Sequence, residues 1–177
     1  NLPASYYNFH DMMKMNEQGY FPYTPAATLL RGLRASIDML TDEGLSNVVA
    51  RHHRLANGVR AAVAAWDLRN CAVAPKWHSD TVTAILVPDG HNANDVIQAA
   101  YHNYGVSLGG GLGKVAGKVF RIGHLGSLTD VMALSGIATA EMCMKDLGLP
   151  IELGSGVAAA QQYYRNHSMI EQKVAAE

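Results

Sequence analysis

Arg121 is the first residue of this chain that demands a chemical explanation. It lies in GKVFRIGHLG, residues 117–126, where Val119, Phe120 and Ile122 read as a short buried strand. A guanidinium on an apolar strand needs an anion, because burying an unpaired charge is strongly unfavourable. Two kinds of partner are available. One is an acidic side chain, Asp130 or Glu141, in a structural ion pair. The other is the carboxylate or phosphate of a ligand, for which the planar fork is suited and beside which Gly117 and Gly123 leave room. His124 follows the strand directly and is placed either for a local hydrogen bond or for catalysis.

A second stretch, GYFPYTP at residues 19–25, offers the hydroxyls of Tyr20, Tyr23 and Thr24 just before a helix N-terminus, stiffened by Pro22 and Pro25. Hydroxyls and free N–H groups at such a terminus suit a phosphate; the competing reading is a proline-rich connector with packed tyrosines. Gly111-x-Gly113-x-x-Ala116 has the form of a dinucleotide fingerprint, but that motif requires a helix to leave it. Here the exit reads as strand, so the cluster is expected to form a flexible turn or lid near a small ligand. His52 and His53 are adjacent on a helix and point about 100° apart, so they cannot share one metal; one should face the core and the other solvent. No metal site is expected.

The composition bounds what these residues can serve. The chain has 177 residues, 49% hydrophobic and 16% charged, which describes a core-forming domain rather than a disordered segment. Its formal net charge is −1 with both signs scattered, so neither a nucleic-acid footprint nor a polybasic membrane patch is expected. No apolar run approaches the roughly 18 residues of a membrane span. Cys71 and Cys143 form no CxxC and no disulfide framework, which fits a cytoplasmic protein. Nothing at the start resembles a signal peptide, and Val174-Ala175-Ala176-Glu177 is not a peroxisomal address. The chain opens on Asn1 rather than methionine, so it is expected to be part of a longer polypeptide.

The elements that must position these groups follow from periodicity. Residues 1–23 show no clean period and read as a connecting segment. Thr24-Pro25 reads as N-cap and first position of a helix carrying Leu29, Leu33, Ile37 and Leu40 and closing at Asp42-Glu43-Gly44. A second helix presents Leu45, Val48, Val49, His52, Leu55, Val59, Ala62, Val63 and Trp66 on one broad face. Strands are expected near 71–74 and at 81–87, the latter ended by Pro88-Asp89-Gly90. Asn94 can cap a helix bearing Val96, Ile97, Ala100, Tyr101 and Tyr104. Ser127-Leu128-Thr129-Asp130 is a capping-box pattern for a helix to about Leu147, with Gly148 closing it, and Gly154-Ser155 opens a last helix. The sum is an α/β or α+β layer domain, a small sheet covered by helices.

Taken together, Tyr20-Phe21-Pro22-Tyr23-Thr24-Pro25-Ala26 and Lys114-Val115-Ala116-Gly117-Lys118-Val119-Phe120-Arg121-Ile122-Gly123-His124-Leu125-Gly126 resemble the class V aminotransferases, in particular the serine–, alanine– and aspartate–glyoxylate group. The resemblance runs from about residue 6 to residue 150 and implies the C-terminal part of a fold-type-I enzyme dependent on pyridoxal 5'-phosphate. It implies a homodimer or larger assembly with sites at the subunit interface, acting on small amino and oxo acids. In that family the arginine of the RIG strand holds the substrate's α-carboxylate, which transfers to Arg121. The hydroxyls of the YxxxTP loop reach the cofactor phosphate of the partner subunit, which transfers to Tyr20 and to Tyr23 or Thr24. The family's Schiff-base lysine lies upstream of that loop. None of the six lysines here, Lys14, Lys76, Lys114, Lys118, Lys145 and Lys173, has its serine-glutamine-lysine context, so no catalytic lysine is expected in this chain. The implied organisation is the end of the large cofactor domain at 1–24, connecting helices at 25–68 and a small domain at 69–177. Two rivals remain: a cysteine-desulfurase-like or other lyase of the same fold, disfavoured by the strand-like and helical settings of Cys71 and Cys143, and a non-catalytic folding or dimerisation fragment.

Overall fold

Branched, aromatic and alanine side chains pack into the core of the structure, a computed structural model that describes residues 5–168. The chain divides into two compact units between Leu45 and Ser46. In the second unit, α3 (Leu45–Ala65, its first residue on the boundary) leads into β1 (Arg69–Asn70) and β2 (Val82–Leu86). Then come α4 (Ala93–Tyr104), β3 (Gly109–Gly110), β4 (Val119–Gly123), α5 (Asp130–Asp146) and α6 (Ser155–Asn166). The four strands form one antiparallel sheet in the order β1-β2-β4-β3.

The register sorts the side chains onto two faces. Thr83 opposes Ile122 and Ile85 opposes Phe120, and these four are buried. Ile85, Phe120 and Ile122 join a core with Leu55, Val59 and Trp66 of α3, Val96 and Ala100 of α4, Ile137 and Met144 of α5, and Tyr164 of α6. The helices therefore cover that face, each by its apolar stripe. The other face carries Val82, Ala84, Leu86 and Arg121, all half-buried.

Buried and partly buried polar groups tie the helix layer together. Glu141 of α5 is 1% exposed. It accepts hydrogen bonds from Trp66 Nε1 of α3 at 2.8 Å and from the backbone N–H groups of Gly154 and Gly156 at the start of α6. A carboxylate there satisfies orphan donors and complements the helix dipole. Arg54 of α3 grips Asp130 of α5 in a two-pronged pair at 2.5 and 2.7 Å and donates to the Tyr164 and His167 carbonyls. Tyr164 in turn donates to the Leu55 carbonyl at 2.9 Å, and its ring lies directly over Gly58, where no Cβ could fit.

His124 is fully buried just beyond β4. Its Nδ1 lies 3.0 Å from the Asp80 carbonyl oxygen, which can only accept, so Nδ1 carries the proton and Nε2 accepts from the Thr83 hydroxyl at 2.8 Å. The residue is a local hydrogen-bonding group. Burial, chiefly, pushes its pKa below the ordinary 6.5, against the pull of the Asp80 contact. The adjacent histidines divide as expected: His52 is buried, donating to the Val48 carbonyl and accepting from Gly126 N, while His53 is exposed and meets Asp80 at 2.9 Å. Partial burial raises the Asp80 pKa, but the hydrogen bonds from His53 and Arg60 outweigh it and leave the carboxyl below its usual value.

The first unit contains α1 (Phe9–Asn16) and α2 (Ala27–Glu43) after a 3-10 turn at Ser5–Tyr7. Neither helix buries a residue, and Leu29, Leu33, Ile37 and Leu40 of α2 are all exposed.

Several boundaries differ from the sequence expectation, each for a local reason. Helix α1 falls inside the expected connector; it starts at an Asn8 cap, whose side chain accepts from His10 N, and not at an apolar stripe. Helix α2 begins at Ala27 rather than Pro25, because Ala26 (φ −75°, ψ 73°) makes an inverse γ-turn closed by Ala27 N to Pro25 O at 2.9 Å. The strand expected near 71–74 is β1 at Arg69–Asn70. Cys71 N still reaches Ala84 O at 2.8 Å, but the chain then bends away into a 3-10 turn at Pro75, which has no N–H for the ladder. The α4 cap is Asn92, not Asn94, and the α5 cap is Thr129, whose side chain accepts from Met132 N, not Ser127. Lys173 and the terminal Val174–Glu177 lie outside the described residues.

Two stability measurements follow. Glu141→Ala strands three buried donors at about 1–3 kcal/mol each, so the thermal midpoint should drop by roughly 10 °C or more, while Glu141→Gln, which keeps an acceptor, should lose less. Equal midpoints for wild type and Glu141→Ala would contradict the anchoring role. His124 gives a pH dependence: its folded pKa is lowered, so between that value and 6.5 the unfolded chain binds more protons. Stability is therefore complete above 6.5 and declines as pH falls through that window, by up to about 1.4 kcal/mol per pH unit. Urea unfolding between pH 5 and 8 should show a shallower acid decline in His124→Asn than in wild type; identical declines would contradict the assignment.

Candidate functional site

Strand β4 places Arg121 on the sheet face opposite the helices. Ala84 of β2 lies beside it on one side and Gly109 of β3 on the other. Gly123, two residues along the same face, adds open space, since a Cβ there would meet nothing within 4 Å. Three of the four neighbours on the face are thus alanine or glycine; the fourth, Val119, is buried at 1% exposure. Gly117, the other glycine expected to make room, instead turns the chain with φ 72°.

Among the described residues Arg121 makes no hydrogen bond and no ion pair, and its Nε is buried without a partner. Both acidic side chains that could have neutralised it are committed elsewhere: Asp130 to Arg54, and Glu141 to Trp66 and the start of α6. The structural ion pair with Asp130 or Glu141 that the sequence left open does not form. What remains is a guanidinium on a half-buried apolar surface with small neighbours, an arrangement able to take a carboxylate or phosphate in two-pronged fashion.

The glycine cluster belongs to this region but not as a nucleotide loop. Gly109–Gly110 is strand, Gly113–Val115 is a single 3-10 turn, and the chain enters β4 rather than a helix. In the first unit, Tyr20, Tyr23 and Thr24 are exposed on the segment between α1 and α2, and none of their hydroxyls is hydrogen-bonded among the described residues. Tyr23 stacks on Tyr6 with ring centres 4.4 Å apart, and Ala26 offers no side-chain cap to the start of α2. Cys143 is buried, and burial pushes its thiol up to about 11, which leaves it unreactive. Cys71 lies in the half-buried bend after β1 rather than on a strand. Among the described residues no cluster of three or more metal-binding side chains occurs, and no helix is long and apolar enough to cross a membrane.

The sequence pointed to Arg121 but not to Ala84 or Gly109 beside it. Period-two alternation puts Ala84 on the same face as Val82 and Leu86, but only the β2–β4 register sets it against the arginine.

No protein-family profile matches the chain. Comparison with characterised proteins is more informative. The chain is 58% identical over 175 residues to the L-aspartate–glyoxylate aminotransferase of Paracoccus denitrificans, covering 99% of this chain and 44% of that protein. It is 47% identical over 163 residues to the serine–glyoxylate aminotransferase of Arabidopsis thaliana, covering 92% and 41% respectively. Among solved structures, the pyridoxamine–pyruvate aminotransferase of Mesorhizobium loti superposes with a TM-score of 0.80 at 33% identity, over 84% of this chain and 38% of that one. The chain therefore spans less than half the length of the relatives it matches. By sequence and by the fold of its small antiparallel α/β domain, it resembles the C-terminal portion of the glyoxylate aminotransferases, enzymes of fold type I.

Proposed function

We propose that the protein carrying this chain is an aminotransferase that moves an amino group from a small L-amino acid (serine, alanine or aspartate) to glyoxylate, giving glycine and a 2-oxo acid. Arg121 binds the α-carboxylate common to donor and acceptor. One observation carries the reading: the guanidinium has no anionic partner among the described residues, and its face of the sheet leaves space beside it. The resemblance to these enzymes supports the class of reaction, and the names of the relatives support glyoxylate as acceptor.

The cofactor of this reading is pyridoxal 5'-phosphate, which when bound supplies the electron sink that makes proton loss from an amino acid's α-carbon feasible. The residues of this chain fit a part of its site. Tyr20, Tyr23 and Thr24 are exposed and their hydroxyls are unengaged among the described residues, which leaves them open to a phosphate. We assign them to the phosphate of the partner subunit in a homodimer, with the Schiff-base lysine upstream of this chain. Arg121 does for the substrate what Tyr20 and its neighbours do for the cofactor. It fixes the carboxylate, so that the remaining rotation decides which α-substituent faces the base, an orientation effect worth several kcal/mol. The half-buried apolar surroundings strengthen that contact by limiting competition from water. The free, unpaired thiols accord with a cytoplasmic location.

The test is the kinetics of Arg121 variants in the full-length protein. Arg121→Ala should lower kcat/KM for both amino donor and glyoxylate by about thirty- to several-thousand-fold, the loss of roughly 2–5 kcal/mol for a charge-assisted contact. Cofactor spectrum and thermal midpoint should change little. Arg121→Lys should also be poor, because an ammonium cannot reproduce the fork. Near-normal kinetics in a stable Arg121→Ala variant would contradict the reading. The subunit assignment has its own test: mixing Tyr20→Phe with a variant lacking the upstream lysine should produce heterodimers with one intact site and regained activity, whereas phosphate contacts within one subunit would give no regain.

A further inference from the structure

Gly109 has no backbone reason to be glycine. Gly105, Gly113 and Gly117 all have positive φ, which explains them, but the φ of Gly109 lies outside the left-handed region and it sits in ordinary strand pairing. The reason lies in its neighbour. A Cβ built on Gly109 would come 3.1 Å from Arg121 Nε, 3.2 Å from Arg121 Cβ and 3.4 Å from Arg121 Nη2, and these are its nearest contacts. Such approaches are tighter than a carbon tolerates without displacement. At Gly110, one residue along, the nearest atom is Ile97 Cδ1 at 3.4 Å, at the margin of ordinary contact and far from the guanidinium.

We propose that Gly109 is a positioning residue for Arg121: by lacking a side chain, it lets the arginine stem and its Nε–Nη2 edge lie in against β3. The buried, unpartnered Nε is the mark of that close approach. Ala84 contributes on the opposite flank, where it pairs with Arg121 and adds only a methyl group. The guanidinium thus stands between two strands in a slot set by backbone spacing, which fixes where a carboxylate must sit. Any side chain at position 109 pushes the guanidinium out of the slot and moves the carboxylate with it. This inference rests on Arg121 being the carboxylate-binding group.

The experiment compares single-turnover half-reactions of the full-length holoenzyme with L-alanine and with ethylamine, which lacks only the carboxylate. This preference, the ratio of the two rates, contains an intrinsic part, set by the carboxylate's effect on the α-carbon, and a part that Arg121 confers, read as the drop in the ratio on Arg121→Ala. Gly109→Ala should lower that preference about tenfold, the scale expected when a reacting group shifts by a fraction of an ångström, and Gly109→Val by more. Gly110→Ala should leave it unchanged. In an Arg121→Ala background, Gly109→Ala should make no further difference, because the two residues act as one unit. If Gly109→Ala instead lowers the thermal midpoint, the loss should vanish in the Arg121→Ala background, where the added methyl meets open space. The inference is overturned if Arg121→Ala lowers the preference while Gly109→Ala leaves it at the wild-type value, or if the stability loss persists without the arginine. If Arg121→Ala itself leaves the preference intact, the fault lies with the reading of Arg121, and the two failures are distinguishable.

Discussion

A permanent positive charge on an apolar sheet face must be neutralised or wetted, and Arg121 organises its surroundings around that requirement. Placing the residue on β4 between β2 and β3 costs the sheet two side chains' worth of packing, since the flanking positions are Ala84 and Gly109. A chain under selection for stability alone would fill those positions with branched residues or supply an acidic partner. Here Asp130 and Glu141 serve the helix layer, and among the described residues the charge is left without an acidic partner. Sites that keep a local rule broken in this way are where function is most often found.

Availability is useful only if the guanidinium stays in place, and the helix layer supplies that rigidity. Glu141 joins α3, α5 and the start of α6 through one carboxylate. Arg54 joins α3 to α5 and to the end of α6. His124 ties the end of β4 to the Asp80 carbonyl and to Thr83 of β2, so the strand bearing Arg121 is pinned just past its last residue. Each network is satisfied and lies buried or partly buried, the condition under which polar groups add rigidity rather than cost. The sheet beneath Arg121 is thereby held by bonds on the face away from the guanidinium.

Much of this was legible in the residues themselves. The 3.6-residue spacing along α3 and the buried apolar run of β4 both appear in the structure, because burial enforces each locally. The RIG strand singled out Arg121 for a physical reason, the mismatch between its charge and its apolar neighbours. Pairing was not legible. That Ala84 lies against Arg121, or that two glycines form β3, depends on the register between residues 37 and 12 positions apart, which no local pattern encodes. Nor could the sequence decide between Asp130 and a ligand as the arginine's partner. That choice turned on Arg54, which lies more than 70 positions from Asp130 and claims it first. Helix α1 escaped notice because it buries nothing and so leaves no apolar stripe.

The account stands on where a substrate carboxylate sits. A crystal structure of the full-length protein with glyoxylate or a substrate amino acid bound reads this directly. The carboxylate oxygens should lie within about 2.7–3.1 Å of the Arg121 guanidinium nitrogens, with Gly109 and Ala84 at its flanks. A carboxylate held by other residues, with Arg121 paired to an acidic side chain supplied from outside this chain, would contradict it.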